Sequence, residues 1–127
     1  MSGSQEQGWV ALVGAGPGDE GLLTVRAAEL LGQAGLVVAG AELERAARRY
    51  LSQDATLADP AEAAGSARAL VQAARDGQLA VRLFPGDPLL NGAAADAAAC
   101  AKAGVRFEIV PGVPAATAVP APEMKDC

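Results

Sequence analysis

Val10-Ala11-Leu12-Val13-Gly14-Ala15-Gly16-Pro17-Gly18-Asp19 is an apolar run that ends in three glycines, a proline and an acid. The apolar run predicts a strand over 9–13 buried on both faces. Helix formers follow at once. Leu23, Ala27, Leu30, Leu31 and Ala34 recur on one face of a 3.6-residue period, which predicts a helix over 22–34. A glycine turn between strand and helix lets the backbone approach a ligand closely and leaves N–H groups free at the helix start. The stretch therefore marks a small-molecule site at the carboxyl end of a sheet.

The same alternation continues outward. Leu36-Val37-Val38-Ala39 reads as a second strand, 41–51 as a helix with Glu42, Glu44, Arg45, Arg48 and Arg49 on its solvent side, and 55–58 as a weak third strand. A helix is predicted over 60–75, capped by Asp59, started by Pro60 and closed by Gly77. Leu79 to Phe84 is a strong strand ended by Pro85-Gly86-Asp87-Pro88. An alanine-rich helix over 93–103 stops at Gly104, and a last strand over 105–110 ends at Pro111-Gly112. Strands alternating with helices of this length predict an α/β domain, a parallel sheet with helices on both faces in an α/β/α arrangement. Three strong strands end in turns of one chemistry, Gly-Pro-Gly-Asp, Pro-Gly-Asp-Pro and Pro-Gly-Val-Pro. In a parallel sheet these turns share one edge, where such folds bind ligands.

Composition narrows the ligand. The chain has 127 residues, 10 basic against 15 acidic, for a net charge of −5. That balance argues against nucleic acid, whose affinity rests on basic neutralisation of phosphates. Trp9, Tyr50, Phe84 and Phe107 are the only aromatic residues, too few for a base-stacking platform. There is no histidine, and Cys100 and Cys127 are the only thiols, so no metal site is expected. Two cysteines without a framework point to a reducing, cytoplasmic compartment, and Cys100 reads as a small core residue. No apolar run reaches the roughly 18–20 residues of a membrane span. Residues 1–8 read as a disordered lead without a secretory signal.

A dinucleotide does not fit the first turn. The third glycine of G-x-G-x-x-G would be residue 19, which is Asp19, and the second strand ends Ala39-Gly40-Ala41 rather than in an acid. A phosphate-bearing ligand is disfavoured, whereas a cationic or zwitterionic one suits Asp19 and Asp87.

These residues carry a family resemblance. V-G-A-G-P-G-D-E-G-L-L-T-V-R-A (Val13 to Ala27) resembles the opening signature of the tetrapyrrole methylases, in particular uroporphyrinogen-III C-methyltransferase. V-R-L-F-P-G-D-P (Val81 to Pro88) is similar to that family's V-R-L-K-G-G-D-P. A-G-V-R-F-E-I-V-P-G-V (Ala103 to Val113) is similar to its A-G-I-P-F-E-V-V-P-G-V. The resemblance covers 9–121 and implies the N-terminal domain of a non-Rossmann methyltransferase fold. Its cofactor would be S-adenosyl-L-methionine, with S-adenosyl-L-homocysteine as product. Its substrate would be a tetrapyrrole, uroporphyrinogen III, methylated at a pyrrole carbon in sirohaem or cobalamin biosynthesis. By residue match, Pro17, Gly86, Asp87 and Leu90 line the cofactor pocket, and Pro85, Pro114 and Ala115 contact it through backbone.

The departures cluster at the chemistry. The aspartate that ends the family's second strand, its proposed proton acceptor, is Gly40 here. The Gly-Lys-Arg segment with the proposed proton donor is replaced by Ala58-Asp59-Pro60-Ala61-Glu62. Pro85 replaces a glycine and loses an N–H. Leu89-Leu90-Asn91-Gly92-Ala93-Ala94 keeps only the glycine of F-x-F-G-R-G, and Pro114 stands for a threonine. No catalytic residue is assigned. Three readings stay open: a C-methyltransferase, a non-catalytic methylase-like module for binding or assembly, and a precorrin-type methylase. The resemblance ends at Pro120-Ala121, so 122–127 is expected to be a non-matching tail with the second domain absent. Such an arrangement resembles the methylase-like half of fusions with uroporphyrinogen-III synthase, and leaves self-association into a homodimer open. Arg45, Arg48 and Arg49 read as a solvated face pairing with Glu42 and Glu44 rather than a dock for substrate carboxylates.

Overall fold

The computed structural model describes residues 8–15, 23–60 and 66–112. Strands β1 (Trp9–Ala15), β2 (Leu36–Ala39), β3 (Thr56–Ala58), β4 (Leu79–Pro85) and β5 (Phe107–Val110) alternate with helices α1 (Val25–Gln33), α2 (Ala41–Tyr50), α3 (Ser66–Arg75) and α4 (Ala93–Ala103). The strands form one sheet in the order β3-β2-β4-β1-β5, and every pairing is parallel.

Side chains alternate between the two faces of a strand, and the two cores follow that parity. Ala11, Val13, Val81 and Leu83 pack with Ala27, Leu30 and Leu31 of α1 and with Leu43 and Ala47 of α2. Val10, Leu12, Ala80 and Phe84 pack with Leu70 and Ala74 of α3 and with Ala93 and Cys100 of α4. Val10 to Val13 are fully buried because both faces of β1 are covered. Leu30 and Leu31 are buried to within 1%, and such burial contributes roughly 1.5–3 kcal/mol per side chain.

The boundaries differ from the sequence expectation for local reasons. Helix α1 begins at Val25, not residue 22, because Thr24 is its N-cap and its Oγ1 accepts from Ala27 N–H at 3.0 Å. Strand β1 extends beyond Val13 because Gly14 and Ala15 pair with Phe84 and Pro85. Strand β5 begins at Phe107, not residue 105, because Val105 N–H closes the end of α4 on the Cys100 carbonyl, next to Gly104 at φ +74°. Helix α3 is described from Ser66, and the stretch 61–65 of its predicted start lies outside the described residues, as do residues 1–7, Pro17, Asp19 and the tail.

Topology locates the crevice. From β1 the chain passes to α1 on one face, and from β4 to α4 on the other. Right-handed crossovers demand this, since β1→β2 and β4→β5 run toward opposite edges of the sheet. Because β1 and β4 are neighbours, the connections that follow their carboxyl ends lead to helices on opposite faces, the switch point at which such sheets open a crevice.

Candidate functional site

Three strand ends meet at that crevice. A β-carbon on Gly14 would stand 2.5 Å from the Gly86 carbonyl oxygen, 2.9 Å from Gly112 N and 2.9 Å from Pro88 Cδ. A β-carbon on Gly112 would stand 2.9 Å from the carbonyl oxygens of Gly14 and Ala15. The ends of β1, β4 and β5 are thus in backbone contact, which places the shared edge expected from their turns.

The β4–α4 loop is held by its own hydrogen bonds. Gly86 takes φ +111°, a conformation that favours glycine, and its N–H donates to the Phe84 carbonyl at 3.0 Å. Leu89 N–H donates to Asp87 Oδ1 at 2.9 Å, and Asn91 Nδ2 donates to the Asp87 carbonyl at 2.8 Å. Leu90 N–H donates to the Asp87 carbonyl, and Asn91 and Ala93 N–H donate to that of Pro88. Pro85 and Pro88 have no N–H. The loop therefore spends the N–H groups of Gly86, Leu89, Leu90, Asn91 and Ala93 internally and presents an exposed carboxylate, Asp87, and an exposed apolar side chain, Leu90 (83% exposed). Such a rim suits a positively charged or zwitterionic ligand better than a phosphate.

Of the residues matched to a cofactor pocket, Pro85, Gly86, Asp87 and Leu90 come together on this loop. Pro17, Pro114 and Ala115 lie outside the described residues. Gly40 is the N-cap of α2 and makes no side-chain cap bond. A β-carbon there would stand 2.8 Å from Glu42 Oε1, so the Glu42 carboxylate fills the space that a side chain at position 40 would use. Arg48 pairs with Glu44 at 2.7 Å in the open, as a solvated helix face does.

One pair escaped the sequence reading. Arg82, on the α4-facing side of β4, donates through Nη1 to Asp96 Oδ2 of α4 at 2.6 Å, with side-chain exposures of 20% and 4%. Its guanidinium also lies 4.7 Å from the Phe84 ring centroid. The signal was a charge inside an otherwise apolar central strand, which demands a partner across the core. Burial pushes the Asp96 carboxyl up from its usual value, against the opposing pull of Arg82. Burial, with a lesser contribution from the Asp96 charge, also pushes the Cys100 thiol up. Cys100 is fully buried in that core.

The fold defines an open, doubly wound α/β protein in which the carboxyl ends of β1, β4 and β5 meet at one edge of the sheet. The chain belongs to the tetrapyrrole methylases: residues 10–122 match the family model described as Tetrapyrrole (Corrin/Porphyrin) Methylases. It is 39% identical over 121 residues to a siroheme synthase of Klebsiella pneumoniae, across 88% of this chain and 26% of that protein. Its fold superposes on a cobalamin biosynthetic enzyme, cobalt precorrin-4 methyltransferase, with a TM-score of 0.74 and 30% identity, across 89% of this chain and 48% of that one. It also superposes on the uroporphyrin-III C-methyltransferase of Thermus thermophilus complexed with S-adenyl homocysteine, with a TM-score of 0.67 and 34% identity, across 83% and 45%. The chain thus spans about a quarter of the synthase and about half of each methyltransferase. Among the described residues, no helix is long and apolar enough to cross a membrane.

Proposed function

We propose that this chain forms the cofactor-side part of an S-adenosyl-L-methionine-dependent C-methyltransferase acting on uroporphyrinogen III, on a route to sirohaem or cobalamin. The observation that carries this reading is the meeting of the β1, β4 and β5 ends at Gly14, Gly86 and Gly112, in a family whose members include methyltransferases of that substrate class. The residues present fit the cofactor. It is a zwitterion with a cationic sulfur and no phosphate, and the loop offers Asp87 and Leu90 while most of its N–H groups are already engaged.

When bound, S-adenosyl-L-methionine supplies an electrophilic methyl group on a positively charged sulfur. The chain's own share is binding and orientation. Asp87 favours the positive charge, Leu90 offers apolar contact, and the cross-braced loop holds both in place, which is the positioning that in-line transfer needs. Pro85 and Gly86 contribute carbonyl oxygens, and Pro17, Pro114 and Ala115 complete the pocket in this reading. Gly40 offers no side chain to take a proton, and Lys102 and Lys125 are the only lysines. These two features favour a second reading, a methylase-like module that binds cofactor or assembles without turnover. The precorrin-4 methyltransferase likeness supports a precorrin as the alternative substrate. A cytoplasmic location and homodimerisation belong to the same proposal: two cysteines without a framework suit a reducing compartment, and exposed Leu89 offers apolar surface to a second copy.

Calorimetric titration of the 127-residue chain with S-adenosyl-L-homocysteine tests the cofactor reading. We expect a Kd of about micromolar order. No heat at about millimolar ligand, with a folded circular dichroism spectrum, would overturn it for this chain. Methyl transfer to uroporphyrinogen III would remove the non-catalytic reading.

A further inference from the structure

Helix α4 poses a packing problem. Eight of its eleven residues are alanine (AAADAAACAKA). A helix gains a defined register on a sheet from ridges of large side chains seated in grooves, and an alanine surface is nearly smooth. Sliding or turning α4 by one residue would exchange one methyl for another at little cost. Yet α4 follows directly on the loop that carries Gly86, Asp87 and Leu90, so its register sets where that loop sits.

Asp96 breaks the smoothness. It is the one buried polar or charged residue among the described residues, one turn before the buried Cys100, and it meets Arg82 across the core at 2.6 Å. The two partners stand 14 residues apart in the chain, one on the strand that enters the loop and one on the helix that leaves it. The Phe84 ring lies against the same guanidinium. A buried ion pair gives no net stability over a well-packed apolar pair, and its best-attested use is to specify register.

We propose that Arg82 and Asp96 are positioning residues: their ion pair fixes the register of the alanine helix α4 and thereby holds the Gly86–Leu90 rim in its ligand-binding position. The ligand part of this statement rests on the function proposed above. The register part does not.

The test uses the double variant Arg82→Met/Asp96→Leu, which replaces the pair by apolar side chains. Its global stability is read by urea unfolding and its loop by amide hydrogen exchange. The expected result is near-wild-type stability, with the Leu89, Leu90, Asn91 and Ala93 amides exchanging about tenfold faster or more while those of 79–83 are unchanged. Loop amides that keep their wild-type rates in the folded variant would overturn the proposal. If the double variant does not fold, Asp96→Asn is read the same way: acceleration confined to the loop supports the proposal, and equal acceleration of loop and strand overturns it. Arg82→Lys, which keeps the charge, should restore part of the protection. Titration with S-adenosyl-L-homocysteine runs in parallel. A wild-type chain that does not bind it fails the functional reading, while the exchange rates still decide the register.

Discussion

The carbonyl oxygen of Gly86 lies 2.5 Å from the point where a β-carbon on Gly14 would stand. No side chain fits there unless the β4–α4 loop moves, because the obstacle is backbone. Gly40 differs. Its nearest obstacle is the Glu42 carboxylate, the free end of a flexible side chain, at 2.8 Å.

This contrast predicts opposite outcomes for one substitution. Gly14→Ala should destabilise the fold by about 1–3 kcal/mol, as overpacking does, and should weaken cofactor binding because the rim is displaced. Gly40→Ala should stay within about 0.5 kcal/mol of wild type, since Glu42 swings aside. Urea unfolding of both variants checks this; equal losses would show that both sites yield alike.

Asp87 separates charge from architecture. Asp87→Asn keeps a side-chain oxygen for the Leu89 N–H, so stability should change by less than about 0.5 kcal/mol. Removing the negative charge should weaken binding of the cationic S-adenosyl-L-methionine by up to about fivefold, the scale of an exposed ion pair. Neutral S-adenosyl-L-homocysteine lacks the sulfonium charge and should lose less. Parallel titrations decide; equal losses for both ligands would show that Asp87 acts through geometry alone.

Asp96 predicts a pH dependence of stability. Burial holds its carboxyl above the usual 3.8 in the folded chain, with Arg82 pulling the other way. Between the two values the folded state carries more protons than the unfolded state. The contribution of Asp96 is therefore fully present below 3.8 and is lost as pH rises through the folded value. The stability of wild type minus that of Asp96→Asn should fall as pH rises above 3.8. A difference that rises over this window would show that Arg82 outweighs burial.

Much of this protein was legible in local sequence. The apolar run from Val10 to Val13, the 3.6-residue spacing through Leu30 and Leu31, and the stops at Gly77 and Gly104 are short-range signals. They depend on backbone conformation and on which face is apolar, and they determined the parallel α/β class and the three turns at carboxyl ends. The motifs from Val13, Val81 and Ala103 further led to the family that the match over 10–122 shows.

Tertiary structure alone decided what those elements do to one another. The order β3-β2-β4-β1-β5 puts β1 beside β4, a neighbour 70 residues on in the register pair Trp9 and Leu79, and no local pattern encodes that pairing. The Arg82–Asp96 bond exists only because β4 and α4 pack face to face. The closure of Gly14 against Gly86 and Gly112 likewise needs three strand ends at one height. Such contacts depend on the distance between segments far apart in sequence, which local periodicity does not constrain and which the packed sheet fixes.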